Sequence, residues 1–199
     1  MNSGFNKAAN IAGVKPSCFV VGTLVMAVAG MVAIENIKAG DKVISTDPET
    51  METSPKTVPE TYIKEVTTLV HLNVNGEEII TTVDHPFYVK DKGFIKAGEL
   101  IVGDELLDSN CNVLLVENHS VELTDEPTKV YNFQLEDFHT YHVSGFGVLV
   151  HNADDTYSRL RKVSPDAKVK KAVNSVDGKK LTRYMDTKLI RWKLIILCL

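Results

Sequence analysis

The sequence predicts an all-β fold between Cys18 and Asn152, and two observations carry this prediction. Short apolar runs rich in Val, Ile and Leu alternate with Gly, Asp and Asn, which is the pattern of short strands joined by turns. The clearest hairpin has apolar runs at 69–74 and 77–83 on either side of Asn75-Gly76. Asn-Gly is a preferred pair for a tight type I′ turn, so the two runs are expected to pair.

A weak internal repeat supports a fold with two related parts. The pattern predicts further strands at 20–28, 42–46, 86–90, 104–107, 113–117, 129–135, 138–143 and 147–151. Gly40-Asp41 opens the apolar run Lys-Val-Ile, and Gly103-Asp104 opens the similar run Glu-Leu-Leu. Gly-Asp is common turn chemistry, but its repetition before two strands predicts two copies of a β unit.

The uncharged segment from Pro16 to Ile34 allows two interpretations. Its length and apolar character are typical of a signal peptide or a membrane span near 19–34. Gly22 and Gly30 interrupt it, however, and its apolar residues fall into two bursts around Ala29-Gly30. These features favour a strand, a turn and a second strand.

Charge and composition divide the chain into three parts. Residues 1–17 are small and polar and form an N-terminal flank, and residues 18–152 form the predicted β domain. Residues 154–199 hold 12 Lys and Arg against 5 Asp and Glu, whereas the rest holds 10 against 21. This step marks a change of module, so 153–199 is interpreted as a truncated, basic C-terminal flank. Its Asp154-Asp155 pair and the residues that follow predict a short helix.

Cys18 is the first residue suited to chemistry. Its thiol can attack the carbonyl carbon of Ser17 through a five-membered ring and convert the amide into a thioester. The covalent connection supplies proximity, which is worth effective molarities on the order of 10⁵–10⁸ M. The reaction also needs a stabilised oxyanion and a proton for the leaving nitrogen. Without these, a cysteine at this position is an ordinary buried side chain at the start of a strand.

Thr82 and His85 are candidates to supply that help. In a strand, Thr82 and Asp84 share a face, and Pro86 ends the regular ladder directly after His85. We expect His85 to protonate the Cys18 nitrogen, because the unperturbed pKa of histidine lies near neutrality. We expect Thr82 to polarise the carbonyl of the same peptide bond. A structural histidine in a turn is the alternative interpretation.

The apolar run 148–150 ends in His151-Asn152, which is followed by Ala153. An asparagine side-chain amide can attack its own backbone carbonyl, form a succinimide and break the bond to the next residue. A preceding histidine can hydrogen-bond that carbonyl and help the amine to leave. Taken alone, His-Asn also occurs as an ordinary turn at the edge of a domain.

The order of these groups resembles the Hint family, which includes Hedgehog-type processing domains and inteins. A cysteine opens the domain, T-x-x-H begins at Thr82, and the last strand ends in His-Asn. The segment 130–143, VYNFQLEDFHTYHV, is similar to the penultimate motif of that family. Among Hint branches the similarity is to bacterial intein-like domains of the A type and to Hint modules of bacterial polymorphic toxins. It extends from Cys18 to Asn152.

The resemblance implies a horseshoe-shaped β fold of two pseudo-symmetric halves whose termini meet at one site. It implies single-turnover self-cleavage without a cofactor or metal. The cysteine pattern also predicts no structural metal site, since the three cysteines include no CxxC pair and no zinc-type cluster with histidine. The implied catalytic residues are Cys18, Thr82, His85, His139, His151 and Asn152.

The resemblance also implies the partners. The substrate is the chain's own flanking segments, and water or a small thiol or amine resolves the thioester. We expect a monomer, no nucleic acid bound to residues 18–152, and a parent protein that a bacterium secretes or displays at its surface.

Two positions depart from the family pattern and leave alternatives open. Position 132 is Asn where the family often has Asp, which puts an acid role there in doubt. Ala153 offers no nucleophile to receive an acyl group, so we expect cleavage at both junctions, and splicing is disfavoured. The main alternative is an inactive β module that presents a C-terminal effector segment. Capture of the thioester by a lipid hydroxyl, as in Hedgehog-type domains, is disfavoured because this chain ends its domain in His-Asn.

Overall fold

The computed structural model describes residues 17–152, which form 13 strands and two short 3₁₀ turns. The 3₁₀ turns span Ile34–Asn36 and Ala97–Glu99. The predicted helix of the C-terminal flank lies outside the described residues. The strands are β1 (Phe19–Val20), β2 (Leu24–Ala27), β3 (Gly30–Ala33), β4 (Lys42–Thr46), β5 (Thr53–Thr57), β6 (Glu60–Val74), β7 (Glu77–Thr81), β8 (Pro86–Val89), β9 (Gly93–Lys96), β10 (Glu105–Leu107), β11 (Val113–Gln134), β12 (Thr140–Val143) and β13 (Val148–His151).

In the sheet of the described residues, a similar series of strands lies on each side of the β12–β13 pair. The strand order is β1-β7-β6-β11-β10-β8-β13-β12-β2-β4-β5, with β3 paired to β2 and β9 to β8. Outward from the β12–β13 pair, β12-β2-β4-β5 on one side therefore matches β13-β8-β10-β11 on the other. The predicted all-β fold with two pseudo-symmetric halves is confirmed.

The Gly-Asp repeat marks equivalent points of the two halves. Gly40 has a φ of +95° and Gly103 a φ of +93°, a backbone region that glycine enters at little cost. Each also donates its N–H over 2.8 Å to a valine carbonyl, that of Val58 in one half and of Val116 in the other. The repeated turn thus starts β4 and β10 in the same way.

The core is apolar and draws on both halves. Burial of one large apolar side chain contributes about 1.5–3 kcal/mol to the free energy of unfolding. The buried apolar residues of this core therefore hold the two halves together. A second, smaller cluster of Cys18, Leu69 and Val130 lies at the start of the domain. Fully buried members of the main core include Phe19, Val25, Val43, Leu72, Phe87, Leu106, Phe133, Tyr141 and Val150.

Several local predictions hold and others are wrong. Asn75 and Gly76 both have positive φ, as a type I′ turn requires, and they join β6 to β7. Residues 24–33 form the hairpin of β2 and β3, and no helix among the described residues is long and apolar enough to span a membrane. The membrane interpretation of 19–34 is therefore wrong, because these residues are strands and a 3₁₀ turn.

The sequence underestimates the length of the sheet. It predicts separate strands at 113–117 and 129–135, whereas β11 runs through Val113–Gln134 and pairs with the long β6. Strands β5 and β9 have no counterpart in the prediction, and 20–28 is divided between β1 and β2. The middle of the β6–β11 ribbon is polar and exposed, so main-chain pairing holds it and no apolar alternation marks it.

Candidate functional site

The start of β1 brings Cys18 against the turn that follows β7. The Cys18 N–H donates to the hydroxyl of Thr82 at 3.0 Å, and the Cys18 carbonyl accepts from the Thr82 N–H at 3.0 Å. The Thr81 hydroxyl also donates to the Cys18 carbonyl, at 2.8 Å. Thr82 therefore contacts the nitrogen of the Ser17–Cys18 peptide. That it polarises the carbonyl of the same peptide stays a prediction.

The carbonyl of the same peptide is contacted by Asn132 on β11. The Asn132 Nδ2 donates to the Ser17 carbonyl oxygen at 2.5 Å, and both residues are buried. A donor aimed at this oxygen is the contact that an oxyanion needs as it forms. Asn132, the position where the sequence departs from the family pattern, therefore provides a donor to the carbonyl that Thr82 was expected to polarise.

The orientation of the Asn132 amide follows from its other neighbours. The Phe133 N–H donates to the Asn132 Oδ1 at 2.8 Å, and the Tyr141 hydroxyl donates to the same atom at 3.0 Å. A backbone N–H can only donate, so the amide oxygen must face it and the NH₂ group must face the junction. Burial, followed by the nearby Cys18, holds the pKa of Tyr141 well above its usual range, which keeps its hydroxyl protonated.

The second N–H of Asn132 reaches the other end of the domain. Its Nδ2 donates to the Asn152 Oδ1 at 3.0 Å, while the Asn152 Nδ2 donates to the Phe133 carbonyl. The Asn152 N–H donates to the His139 carbonyl at 2.6 Å. One buried amide on β11 therefore contacts both the Ser17 carbonyl and the Asn152 side chain.

His85 is placed close to this network but without a hydrogen bond to it among the described residues. Its ring is fully buried, both ring nitrogens lack a partner there, and its centroid lies 4.1 Å from that of Phe19. Burial, and then the neighbouring charge of His151, hold its pKa well below the usual range. Burial therefore favours the uncharged imidazole at neutral pH, so His85 has to accept a proton before it can act as the expected acid.

The two histidines of the C-terminal junction lie next to each other, His139 directly before β12 and His151 at the end of β13. The His139 and His151 ring centroids are 6.4 Å apart, and His151 packs edge-on against Phe94 at 5.0 Å. His139 has a φ of +54°, which turns its carbonyl toward Asn152. Its main chain, as well as its imidazole, therefore belongs to the site.

This geometry belongs to a sequence that a family model also recognises. The pretoxin Hint domain model matches residues 24–153. The chain belongs to the pretoxin Hint domain family. No curated protein matches it at a significant level.

Several solved structures are similar to this Hint domain. A bacterial intein-like domain from Clostridium thermocellum is 61% identical, with a TM-score of 0.67, and the match covers 70% of this chain and all of that one. The gp41-1 intein is 20% identical, with a TM-score of 0.56, over 69% of this chain and 100% of its own. A DnaB intein from Synechocystis sp. PCC 6803 is 16% identical, with a TM-score of 0.58, over 69% of this chain and 99% of its own. Hint and intein domains are in general self-processing.

The cysteine at the start of the Hint domain has a raised pKa. Cys18 is fully buried, and this burial raises the pKa of its thiol to about 12, although the charge of Lys64 offsets part of the effect. Since a cysteine reacts as its thiolate, this burial favours the less reactive, protonated form of Cys18 at neutral pH.

Three contacts of the candidate site were not predicted from the sequence. The Asn132 amide, the Tyr141 hydroxyl that orients it and the Phe133 carbonyl that holds Asn152 lie within one segment of β11 and β12. The only sequence signal was that 130–143 matches a family motif. Which atoms meet is set by the pairing of strands that are far apart in the sequence.

Proposed function

We propose that residues 18–152 are a self-processing Hint domain that cuts its own chain at Ser17–Cys18 and at Asn152–Ala153. The observation that carries the proposal is the double contact of Asn132, whose two N–H groups reach the Ser17 carbonyl and the Asn152 side chain. One buried side chain thus connects the peptide bond at one proposed cut with the attacking side chain at the other.

At the N-terminal junction the reaction is an acyl shift. The Cys18 Sγ attacks the Ser17 carbonyl carbon, a C–S bond forms and the C–N bond breaks. The thiol proton ends on the Cys18 nitrogen, so the step consumes no other reactant. Asn132 stabilises the oxyanion, and the Thr82 hydroxyl lies on the nitrogen that must gain the proton. Water or a small thiol or amine then cleaves the thioester.

Within this network His85 acts as a neutral base. A buried imidazole with a lowered pKa can accept the thiol proton and return it to the Cys18 nitrogen, whereas it cannot start as the acid. Its place in the Thr82–His85 turn keeps it beside Phe19, the residue that follows the nucleophile.

At the C-terminal junction the reaction is a cyclisation. The Asn152 Nδ2 attacks the Asn152 carbonyl carbon, and the bond to Ala153 breaks. One amide proton ends on the Ala153 nitrogen, which leaves a succinimide at the end of the domain. The hydrogen bonds from Asn132 and to Phe133 fix the side chain, and His139 and His151 assist the leaving amine. Because Ala153 has no nucleophile, cleavage prevails over splicing.

The test is a timed intact-mass spectrum of the purified full chain, with and without dithiothreitol. The expected fragments break after Ser17 and after Asn152, and thiol accelerates only the first. Cys18→Ala abolishes the first cut and Asn152→Ala the second. If either variant leaves its own cut intact, the assignment is wrong. A wild-type chain that stays whole favours the inactive β module that presents the C-terminal segment.

A further inference from the structure

The second 3₁₀ turn, Ala97–Glu99, donates two main-chain hydrogen bonds to the turn that carries Thr82 and His85. The Ala97 N–H donates to the His85 carbonyl at 2.7 Å, and the Gly98 N–H donates to the Val83 carbonyl at 2.9 Å. The 3₁₀ turn thus contacts the main chain of two of the four residues from 82 to 85. Its position sets the position of the turn beneath it.

The contact at Gly98 is too close for any other residue. A Cβ added at this position would lie 2.6 Å from the Val83 Cγ1 and 3.3 Å from the Val83 carbonyl oxygen. The backbone of Gly98 is not in the left-handed region, so its conformation does not demand glycine. The reason for glycine here is space against Val83.

The other half of the fold provides an internal comparison. There the Ile34 N–H donates to the Thr23 carbonyl at 2.8 Å, which matches the bond from Ala97 to His85. Glu35 occupies the place of Gly98, and its carboxylate accepts from the Gly22 N–H at 2.9 Å on an exposed surface. The repeated turn therefore accepts a large side chain, and glycine is present in the half that contacts Cys18.

We propose that Gly98 is a positioning residue for the N-terminal junction. Its bare α-carbon lets the 3₁₀ turn pack directly on Val83, which holds the Thr82 hydroxyl on the Cys18 N–H. Further contacts secure the turn on its other side, where the His119 Nε2 donates to the Ala97 carbonyl at 2.9 Å. This inference rests on the proposed function at Cys18, but it concerns the supporting turn alone.

The experiment compares G98A, V83A and the double variant G98A/V83A in the full chain. A displacement near 1 Å costs up to about 100-fold in rate, so G98A is expected to slow the Cys18 cut by about 10- to 100-fold. Cleavage after Asn152 should stay within about twofold of wild type, because the hydrogen bonds that hold Asn152 come from Asn132, Phe133 and His139, which lie outside this turn. Removal of the Val83 methyl groups makes room for the new Cβ, so the double variant should cut about as fast as V83A alone.

E35A is the matched control, since it alters the equivalent turn of the other half and should leave both cuts unchanged. The proposal is overturned if G98A cuts at Cys18 like wild type. It is equally overturned if G98A slows both junctions alike, or if the double variant is no faster than G98A.

A second readout separates this proposal from the proposed function. In the uncleavable C18A/N152A background, NMR signals of the Thr82 methyl and the His85 ring should shift with G98A and return with V83A added. This result stands even if the wild-type chain cuts at neither junction, in which case only the proposed function fails. Unshifted Thr82 and His85 signals in G98A would overturn the positioning role.

Discussion

In the proposed mechanism, the two junctions of this Hint domain share one asparagine but differ in the group that attacks. At the N-terminal junction the nucleophile is the Cys18 thiol, whose buried position raises its pKa to about 12. At the C-terminal junction it is the Asn152 amide, which two hydrogen bonds fix in place. In this proposal the first junction depends on ionisation of a thiol and the second on orientation of an amide, although Asn132 contacts both.

The largest expected effect tests what the junctions share. Asn132→Ala removes the donor to the Ser17 carbonyl and the donor to the Asn152 Oδ1. Loss of one oxyanion donor costs about 10²–10³ in rate, so the Cys18 cut should slow by that factor, and the Asn152 cut should slow as well. Intact-mass time courses measure both rates in one sample.

Asn118→Ala is the control for this variant, because Asn118 lies on the same strand and is exposed. It should leave both rates unchanged. If Asn132→Ala slows only one junction, the asparagine does not connect them.

The pH dependence should separate the junctions. Because burial raises the pKa of Cys18, the thiolate fraction rises about tenfold per pH unit at every pH below that value. In His85→Ala, where the thiol must lose its proton to the solvent, the Cys18 cut should therefore accelerate about 100-fold from pH 7 to pH 9 without levelling, whereas transfer of the proton to His85 should make the wild-type rate change less. The Asn152 cut should change less, since its nucleophile does not ionise in this range.

The rates are measured at trapping-thiol concentrations high enough that the Cys18 rate no longer depends on the thiol. A plateau of the His85→Ala rate at or below pH 9 would contradict the buried, protonated thiol. Parallel profiles at the two junctions would contradict the distinction between them.

Thr82→Val should affect the N-terminal junction alone. The substitution keeps the shape but removes the hydroxyl that lies 3.0 Å from the Cys18 nitrogen. We expect about a tenfold slower Cys18 cut, the range of a single lost contact to a reacting group, and an unchanged Asn152 cut. Thr61→Val, at an exposed position of β6, is the matched control. Equal slowing of both cuts would mean that Thr82 acts through the fold.

The smallest expected effect comes from Tyr141→Phe. It removes one of two donors that orient the Asn132 amide and leaves the Phe133 N–H in place. A neutral hydrogen bond contributes about 0.5–1.5 kcal/mol, so both cuts should slow by only about 2- to 10-fold. Tyr131→Phe, on the strand that carries Asn132, serves as the control. An effect as large as that of Asn132→Ala would show that Tyr141 does more than orient the amide.

The sequence by itself determined the fold class and several of its turns. Asn75-Gly76 predicts a hairpin because only a few residues accept two successive positive φ values, and Gly-Asp marks the turns of both halves for a related reason. Such signals are local, so they can be read without a partner strand. The polar ribbon of β6 and β11 had no local signal, because its stability comes from main-chain pairing with a distant segment.

Tertiary structure alone decided which atoms meet. The sequence offers Thr82 as the candidate for the carbonyl of Ser17, whereas pairing of β1 with β7 and β11 places the Thr82 hydroxyl on the nitrogen and the Asn132 amide on the oxygen. Burial, which also depends on the whole fold, lowered the pKa of His85 and raised that of Cys18. Residue types set which reactions are available, whereas distances and desolvation set the role of each side chain, and these depend on contacts between residues far apart in the chain.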